Sequence, residues 1–141
     1  MHNILLQAHR GFAYLEIFLV ILFAVSALLV MFGYSGKITK FLRKTTLFTM
    51  IFFHIQVVIG AIMLITYLSS GMDMGAVMKN AEQRFQFVEH PFSMLVIAVL
   101  MTIINKKIKT SEKLSMGVFI MSAVAVALFA FALPWAKLFN S

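Results

Sequence analysis

The sequence predicts an all-α, integral membrane protein whose four helices form an up-down-up-down bundle with both termini outside the cytoplasm. First, 62% of the 141 residues are hydrophobic and 12% are charged, whereas soluble domains hold roughly 45–50% and about 25%. A chain this short has too little interior to hide so much apolar surface from water, so a soluble fold is excluded. Second, the apolar residues fall into four stretches, and third, basic residues collect in two of the three loops between them.

The four apolar stretches are the predicted membrane spans of a single transmembrane domain covering residues 1–141. They cover approximately residues 11–34, 45–68, 85–104 and 114–136. About 20 mostly apolar residues are needed to cross a bilayer, and helices are favoured because lipid cannot satisfy an open backbone. The third span begins close to Pro91, which is tolerated in the first turn of a helix. The loop over residues 69–84 is the longest, and its run MGAVMKNAEQRFQF predicts an interfacial helix that leads into the third span.

The loops predict the orientation of the bundle. The first and third loops each carry four basic residues, which are Lys37, Lys40, Arg43, Lys44, Lys106, Lys107, Lys109 and Lys113. The positive-inside rule places both loops in the cytoplasm and both termini outside, as expected for a multi-pass protein of the bacterial inner membrane. This placement explains the excess of 12 Lys and Arg over 5 Asp and Glu, so we expect contact with the lipid bilayer and no nucleic-acid partner.

Several kinds of chemistry are excluded or unsupported by the sequence. The chain has no cysteine, which excludes disulfides, thiolate nucleophiles and cysteine-bound iron–sulfur clusters. No glycine-rich phosphate loop and no nucleophile–base pattern of a hydrolase is present.

Polar and ionisable side chains within the spans are the candidate functional residues, because such groups are costly in a membrane. They are His9, Glu16, His54, Gln56, Glu89 and His90. Two histidines on facing helices predict a metal site, most plausibly for haem iron, since bundle cores commonly hold such sites and His is a standard haem ligand. The alternative is that the histidines are neutral and hydrogen-bonded across helices.

Distances along the helices predict that the three histidines lie at different depths. At 1.5 Å per residue, His54 lies about 15 Å from Lys44 and His90 about 24 Å from Lys106. His9 lies about 42 Å from Lys37, at or beyond the outer boundary. A pair of His54 and His90 therefore needs less helix tilt than a pair of His9 and His90.

Two helix faces predict an apolar slot for a porphyrin. These faces consist of His90, Met94, Ile97 and Met101 on the third span and of Met50, His54, Val57, Val58 and Ala61 on the second. Met94, one turn after His90, is a further candidate for contact with a cofactor.

The remaining polar residues have two interpretations each. Glu16 lies two turns after His9 on the same face, where it relays a proton or orients a histidine; alternatively it pairs with Arg10 or Lys137. Gln56 is assigned the same supporting role. Glu89 is another candidate, although a carboxylate is favoured at the start of a helix in any case.

Three methionines in the outer loop allow a different metal. Met72, Met74 and Met78 lie within seven residues, and thioethers select Cu(I). Alternatively, an interfacial helix buries these methionines among lipid headgroups.

The motifs together resemble a family of small bacterial four-helix membrane proteins described as cytochrome b-like. The matching segments extend over essentially the whole chain: HRGFAYL from His9, HIQVVIG from His54, MGAVMK from Met74, RFQFVEHPFSM from Arg84, and LPW near the end. The resemblance implies b-type haem bound by His54, His90 and His9.

The leading functional hypothesis is an electron-transfer cytochrome with b-type haem, which moves electrons between a quinol or a partner protein and an acceptor near the outer face. One alternative is a cofactor-free accessory subunit that packs against the other subunits of a respiratory or transport complex, or against copies of itself. Another is a copper-linked membrane protein.

Overall fold

The computed structural model describes residues 2–71 and 73–133, without the side chains of residues 2 and 3, and this part of the chain is helical with short connections. The helices are α1 (His2–Gly33), α2 (Lys40–Ser69), α3 (Met74–Lys79), α4 (Ala81–Arg84), α5 (His90–Thr110) and α6 (Met116–Ala132). A π-helical turn, Phe85–Glu89, joins α4 to α5. The described residues form no strand, so the prediction of an all-α fold is confirmed.

Three helical segments are long and apolar enough to cross a membrane: Ile4–Gly33, Lys40–Ser69 and Ala81–Thr110. The fourth, α6, is apolar but has 17 residues within the described part of the chain. The predicted end of the last span, together with Pro134 and Trp135, lies outside the described residues. The long loop contains two short helices, α3 and α4, in place of the single predicted helix, and α4 continues into α5 through the π-helical turn. The interfacial location of this segment stays a prediction.

The four long helices form a closed ring in which each packs against the next along the chain. Contacts join α1 to α2, α2 to α5 and α5 to α6, and α6 returns to α1. Side chains of α2 show that α1 and α2 are antiparallel, because the Thr49 hydroxyl donates to the carbonyl of Leu19 while the later Gln56 donates to the carbonyl of the earlier His9. We call the end that holds His9 and His90 the histidine end, and the end that holds the two lysine-rich loops the basic end.

At the basic end, the two loops are joined by backbone hydrogen bonds. The Ile38 amide donates to the carbonyl of Glu112 over 2.9 Å, and the Leu114 amide donates to the carbonyl of Gly36 over 2.7 Å. Gly36 has a φ of +84°, a conformation that favours glycine, and a Cβ there would lie 3.6 Å from the Leu114 carbonyl oxygen. The pairing holds the α1–α2 hairpin against the α5–α6 hairpin.

Arg43 closes the basic end by capping α5 from the neighbouring helix. Its Nη1 donates to the carbonyls of Ile108 and Lys109 over 2.7 and 2.9 Å, and its Nη2 donates to that of Ser111 over 2.8 Å. The last carbonyls of a helix have no partner within it. The guanidinium supplies donors to two of them and to the carbonyl of Ser111, which follows the helix, and this explains how a charged side chain remains half-buried here.

We expect Arg43→Gln to lower the free energy of unfolding by about 2 kcal/mol, because hydrogen bonds from a charged donor to otherwise unpaired carbonyls are lost. Thermal or denaturant unfolding in detergent measures the effect. The exposed neighbour Lys44 supplies the control, since Lys44→Gln removes the same charge without a capping role. Equal stability of the two variants would contradict the capping role.

The inner face of α2 differs from the face that the sequence predicted. Its buried residues are Leu42, Thr45, Thr46, Thr49, Phe53 and Gln56. The predicted stripe of Met50, His54, Val57, Val58 and Ala61 is not buried: His54, Val58 and Ala61 are exposed. On α5 the predicted face lies inward, since Met94, Ile97 and Met101 are all in the core, while the porphyrin slot stays a prediction. Phe53 packs edge-to-face against Phe129 of α6, with ring centroids 5.2 Å apart.

Candidate functional site

The structure brings together His9 of α1 and His90 of α5 at the histidine end. Their ring centroids are 6.1 Å apart and their planes are nearly perpendicular, at 89°. α1 and α5 are diagonal in the ring of helices, so the two imidazoles meet across the bundle. Two imidazoles that bind one metal ion from opposite sides, with metal–nitrogen distances of about 2.0–2.1 Å, hold their centroids about 6 Å apart. The observed separation fits this arrangement.

His90 is oriented by the end of α6. Its Nδ1 lies 2.6 Å from the carbonyl oxygen of Ala132, the last residue of that helix. A carbonyl oxygen only accepts, so Nδ1 carries the hydrogen and Nε2 of the neutral ring keeps its lone pair. A hydrogen bond from Nδ1 to a backbone carbonyl is the arrangement that orients metal-binding histidines in general.

The Gln56 side chain connects His9 to Glu16. Its Nε2 donates to the His9 carbonyl over 3.0 Å, and its amide lies beside both the His9 ring and the Glu16 carboxyl group. Three buried atoms here have no hydrogen-bond partner: His9 Nδ1, Glu16 Oε1 and Gln56 Oε1. The Gln56 amide therefore pairs with the His9 backbone, while the Gln56 oxygen and the His9 ring nitrogen stay without partners.

Glu16 is the most deeply buried ionisable side chain in the described chain, with 1% of its surface exposed. Buried, incompletely paired polar atoms are rare and call for an explanation such as a bound group or a functional role. Gln56, which is 2% exposed, lies next to both His9 and Glu16, and the role of Glu16 stays a prediction.

Small and aromatic residues surround the histidine pair. Gly60 of α2 lies beside the His9 ring, and a Cβ added there would make an ordinary van der Waals contact with His9 Cε1 at 4.0 Å. The Phe85 ring lies 6.2 Å from the His90 ring, and Phe131 lies 6.1 Å from Phe85. Phe85 belongs to the π-helical turn, a feature frequently found at functional sites.

His54 is separate from this pair. Its Nε2 lies 2.8 Å from the Thr102 hydroxyl oxygen, and Thr102 is 12 residues after His90 on the same helix, or about 18 Å along its axis. The imidazole is exposed on the outside of the bundle. This geometry corresponds to the alternative interpretation of a histidine hydrogen-bonded across helices.

The expectation that His9 and His90 lie at very different depths is not what the structure shows. α1 ends at Gly33, before Lys37, and α5 continues past Lys106 to Thr110. Measured from these helix ends, His9 lies about 36 Å and His90 about 30 Å along the respective axes. The anchoring lysines are thus poor markers of depth, because one lies in a loop and the other lies within a helix.

The other predicted residues have simpler surroundings. Met94 is buried in the core one turn after His90. Glu89 forms an ion pair with Arg84, with 3.6 Å between Oε2 and Nε, and is 40% exposed. Neither residue has a contact in the structure that tests its predicted role.

The predicted copper site is described only in part. Met74 and Met78 are exposed and one turn apart on α3, and Met72 lies outside the described residues. Within the described chain, no three His, Asp or Glu side chains are placed to hold a metal ion together. A haem iron takes one or two side-chain ligands from a protein, and His9 and His90 are the two that would hold it here.

Sequence reasoning missed Thr102, Phe85 and the Ala132 carbonyl. The sequence gives no signal for a backbone carbonyl at a helix end. It does give one for Thr102, because a hydroxyl group in an apolar span is a candidate partner for a histidine on a neighbouring span. Comparisons with protein-family models, curated proteins and solved structures found no match. The family resemblance and the roles that it implies therefore stay predictions.

Proposed function

We propose that this protein is a b-type cytochrome of the bacterial inner membrane in which His9 and His90 bind one haem iron at the histidine end of the bundle. The observation that carries the proposal is the facing pair of imidazoles, 6.1 Å apart, on two diagonal helices. The haem supplies one-electron redox chemistry. This assignment uses two of the three predicted histidines and leaves His54 for another role.

The hydrogen bonding of the two rings supports metal binding. His90 Nδ1 donates to the Ala132 carbonyl, which leaves Nε2 of His90 available for iron. His9 Nδ1 is buried without a hydrogen-bond partner, and a bound group is one explanation of such an atom.

Glu16 and Gln56 serve His9 in this proposal. The Gln56 amide donates to the His9 backbone carbonyl and so ties α2 to α1 beside the His9 ring, and the Glu16 carboxyl group lies beside the same amide. The buried carboxyl group supplies a site that holds a proton close to the proposed haem ligand. Gly60, which lies against His9, leaves space on α2 that a larger residue would fill.

The orientation of the bundle is part of the proposal. Eight basic residues lie in or beside the two loops of the basic end, and the positive-inside rule supports a cytoplasmic location for that end and a location near the outer face for the histidine end. Electrons then pass between a donor in the membrane and an acceptor near the outer face.

The visible spectrum of the full-length protein, purified in mild detergent, tests the proposal. We expect a Soret band, a reduced-state spectrum typical of b-type haem, and about one haem per chain by pyridine haemochrome assay. A colourless protein that stays without a Soret band after addition of haemin would overturn the proposal. Such a protein, purified with stoichiometric partner subunits, would favour the cofactor-free accessory subunit.

A further inference from the structure

His54 is a polar group on the outer surface of a helix that is long and apolar enough to cross a membrane. It lies in the middle of the 30-residue α2, and its side chain is exposed. We define the His54 face as the exposed residues around it on α2 and α5, which are Ile51, His54, Val58, Val99 and Thr102. Apart from the imidazole and the hydroxyl, this face is apolar.

The hydrogen bonds at Thr102 determine which nitrogen of His54 carries the hydrogen. The Thr102 hydroxyl donates its only hydrogen to the Ala98 carbonyl over 2.7 Å. Its oxygen can therefore only accept from His54 Nε2, which lies 2.8 Å away. In the neutral ring Nδ1 is then an acceptor that points away from this bond and needs a donor.

Lipid acyl chains have no hydrogen-bond donor, and polar groups in the middle of a membrane mark functional sites. The ligand that complements this face has an apolar body, dissolves in the membrane and carries a hydroxyl group. A hydroquinone with an isoprenoid tail has all three properties.

We propose that the His54 face binds a membrane-soluble quinol, one of whose hydroxyl groups donates a hydrogen bond to His54 Nδ1. The role of this quinol as the electron donor rests on the proposed cytochrome function. Its binding can be measured in protein without haem. The face lies about 18 Å along α5 from His90, between the basic end and the candidate haem site.

A second copy of the chain complements this face less well. A two-fold symmetric contact brings the same face of both copies together. Each copy would then present an acceptor nitrogen and a hydroxyl whose hydrogen is already used at Ala98. The charged donor Lys106 lies one turn further towards the basic end of α5, and long basic side chains near the ends of membrane helices extend towards water.

The test uses the full chain in phosphatidylcholine nanodiscs with ¹⁵N-labelled histidine, and its probe is a short-tailed ubiquinol kept reduced. We expect the His54 resonances, assigned with His54→Gln, to show hydrogen on Nε2 and a shift of the Nδ1 resonance as quinol is added. The dimethyl ether of the same quinol, which has no hydroxyl donor, should leave Nδ1 unchanged. An unperturbed Nδ1 resonance, or an equal response to the ether, would overturn the proposal.

A binding isotherm, corrected with empty nanodiscs, compares a variant of the His54 face with a control variant outside it. His54→Leu should weaken quinol binding about three- to tenfold, the value of one hydrogen bond, whereas Val124→Leu, at an exposed position on α6, should leave it unchanged. The proposal would be contradicted if both variants and the unmodified chain bound quinol with equal affinity. It would also be contradicted if the chain formed a dimer that can be cross-linked through this face and that does not bind quinol.

The two proposals fail separately. A His90→Ala protein that lacks haem but binds quinol at His54 supports the quinol site on its own. A protein that binds haem while its Nδ1 resonance ignores quinol retains the cytochrome function and overturns the quinol site.

Discussion

Replacing His90 with alanine is expected to remove b-type haem from the purified protein, and His9→Ala should have the same effect. Loss of groups that merely orient a metal ligand already costs about 10- to 100-fold in affinity, so loss of a ligand itself should cost at least about tenfold. The haem-to-protein ratio by pyridine haemochrome assay and the height of the Soret band measure the result.

His54→Ala is the matched control for this experiment. This variant removes an imidazole from α2, which carries neither of the proposed ligands. The His54 ring is exposed and hydrogen-bonded to Thr102, so the haem content should stay unchanged. Helical content by circular dichroism shows whether each variant is folded. Loss of haem from His54→Ala, with retention in His9→Ala and His90→Ala, would contradict the assignment.

Phe53→Ala is expected to lower the free energy of unfolding by about 3 kcal/mol, because truncating a buried aromatic leaves a cavity and loses packing contacts. Phe53 is 1% exposed, packs against Phe129 and lines a small internal void of about 10 Å³. Equilibrium unfolding in mixed micelles measures the change.

Phe48→Ala makes the same chemical change five residues earlier on α2, where the ring is 48% exposed. It should cost less than about 1 kcal/mol, as surface substitutions usually do. Because the two phenylalanines lie on different faces, the comparison tests which face of α2 looks inward. A larger effect at Phe48 than at Phe53 would mean that α2 is rotated about its axis.

The sequence predicts the helices of this protein better than their faces. Apolar runs identify all four long helices, and the basic loops mark where they turn. Hydrophobic periodicity does not identify the inner face, because lipid is as apolar as a core and packing between membrane helices relies on small and polar residues. On α2 the inward signal is instead the series Thr45, Thr49 and Gln56, whose spacing of four and seven residues follows one helical face.

The candidate site is predictable in its residue types but not in its pairing. The cost of polar groups in a membrane singles out His9, Glu16 and Gln56, and the structure places them together. The choice of His9 rather than His54 as the neighbour of His90 depends on where the helices end and on the π-helical turn before α5. Neither feature has a clear signal in the sequence. The positions of His9 and His90 along the bundle, counted from Lys37 and Lys106, were therefore predicted wrongly.

The spin state of the ferric protein tests the central claim, that two imidazoles from opposite helices hold one iron, most directly. Electron paramagnetic resonance of the purified, oxidised full chain should show low-spin, six-coordinate haem. His9→Ala, loaded with haemin, should convert the residual signal to high spin. A high-spin, five-coordinate signal in the unmodified protein, or a low-spin signal that survives loss of both His9 and His90, would contradict the account.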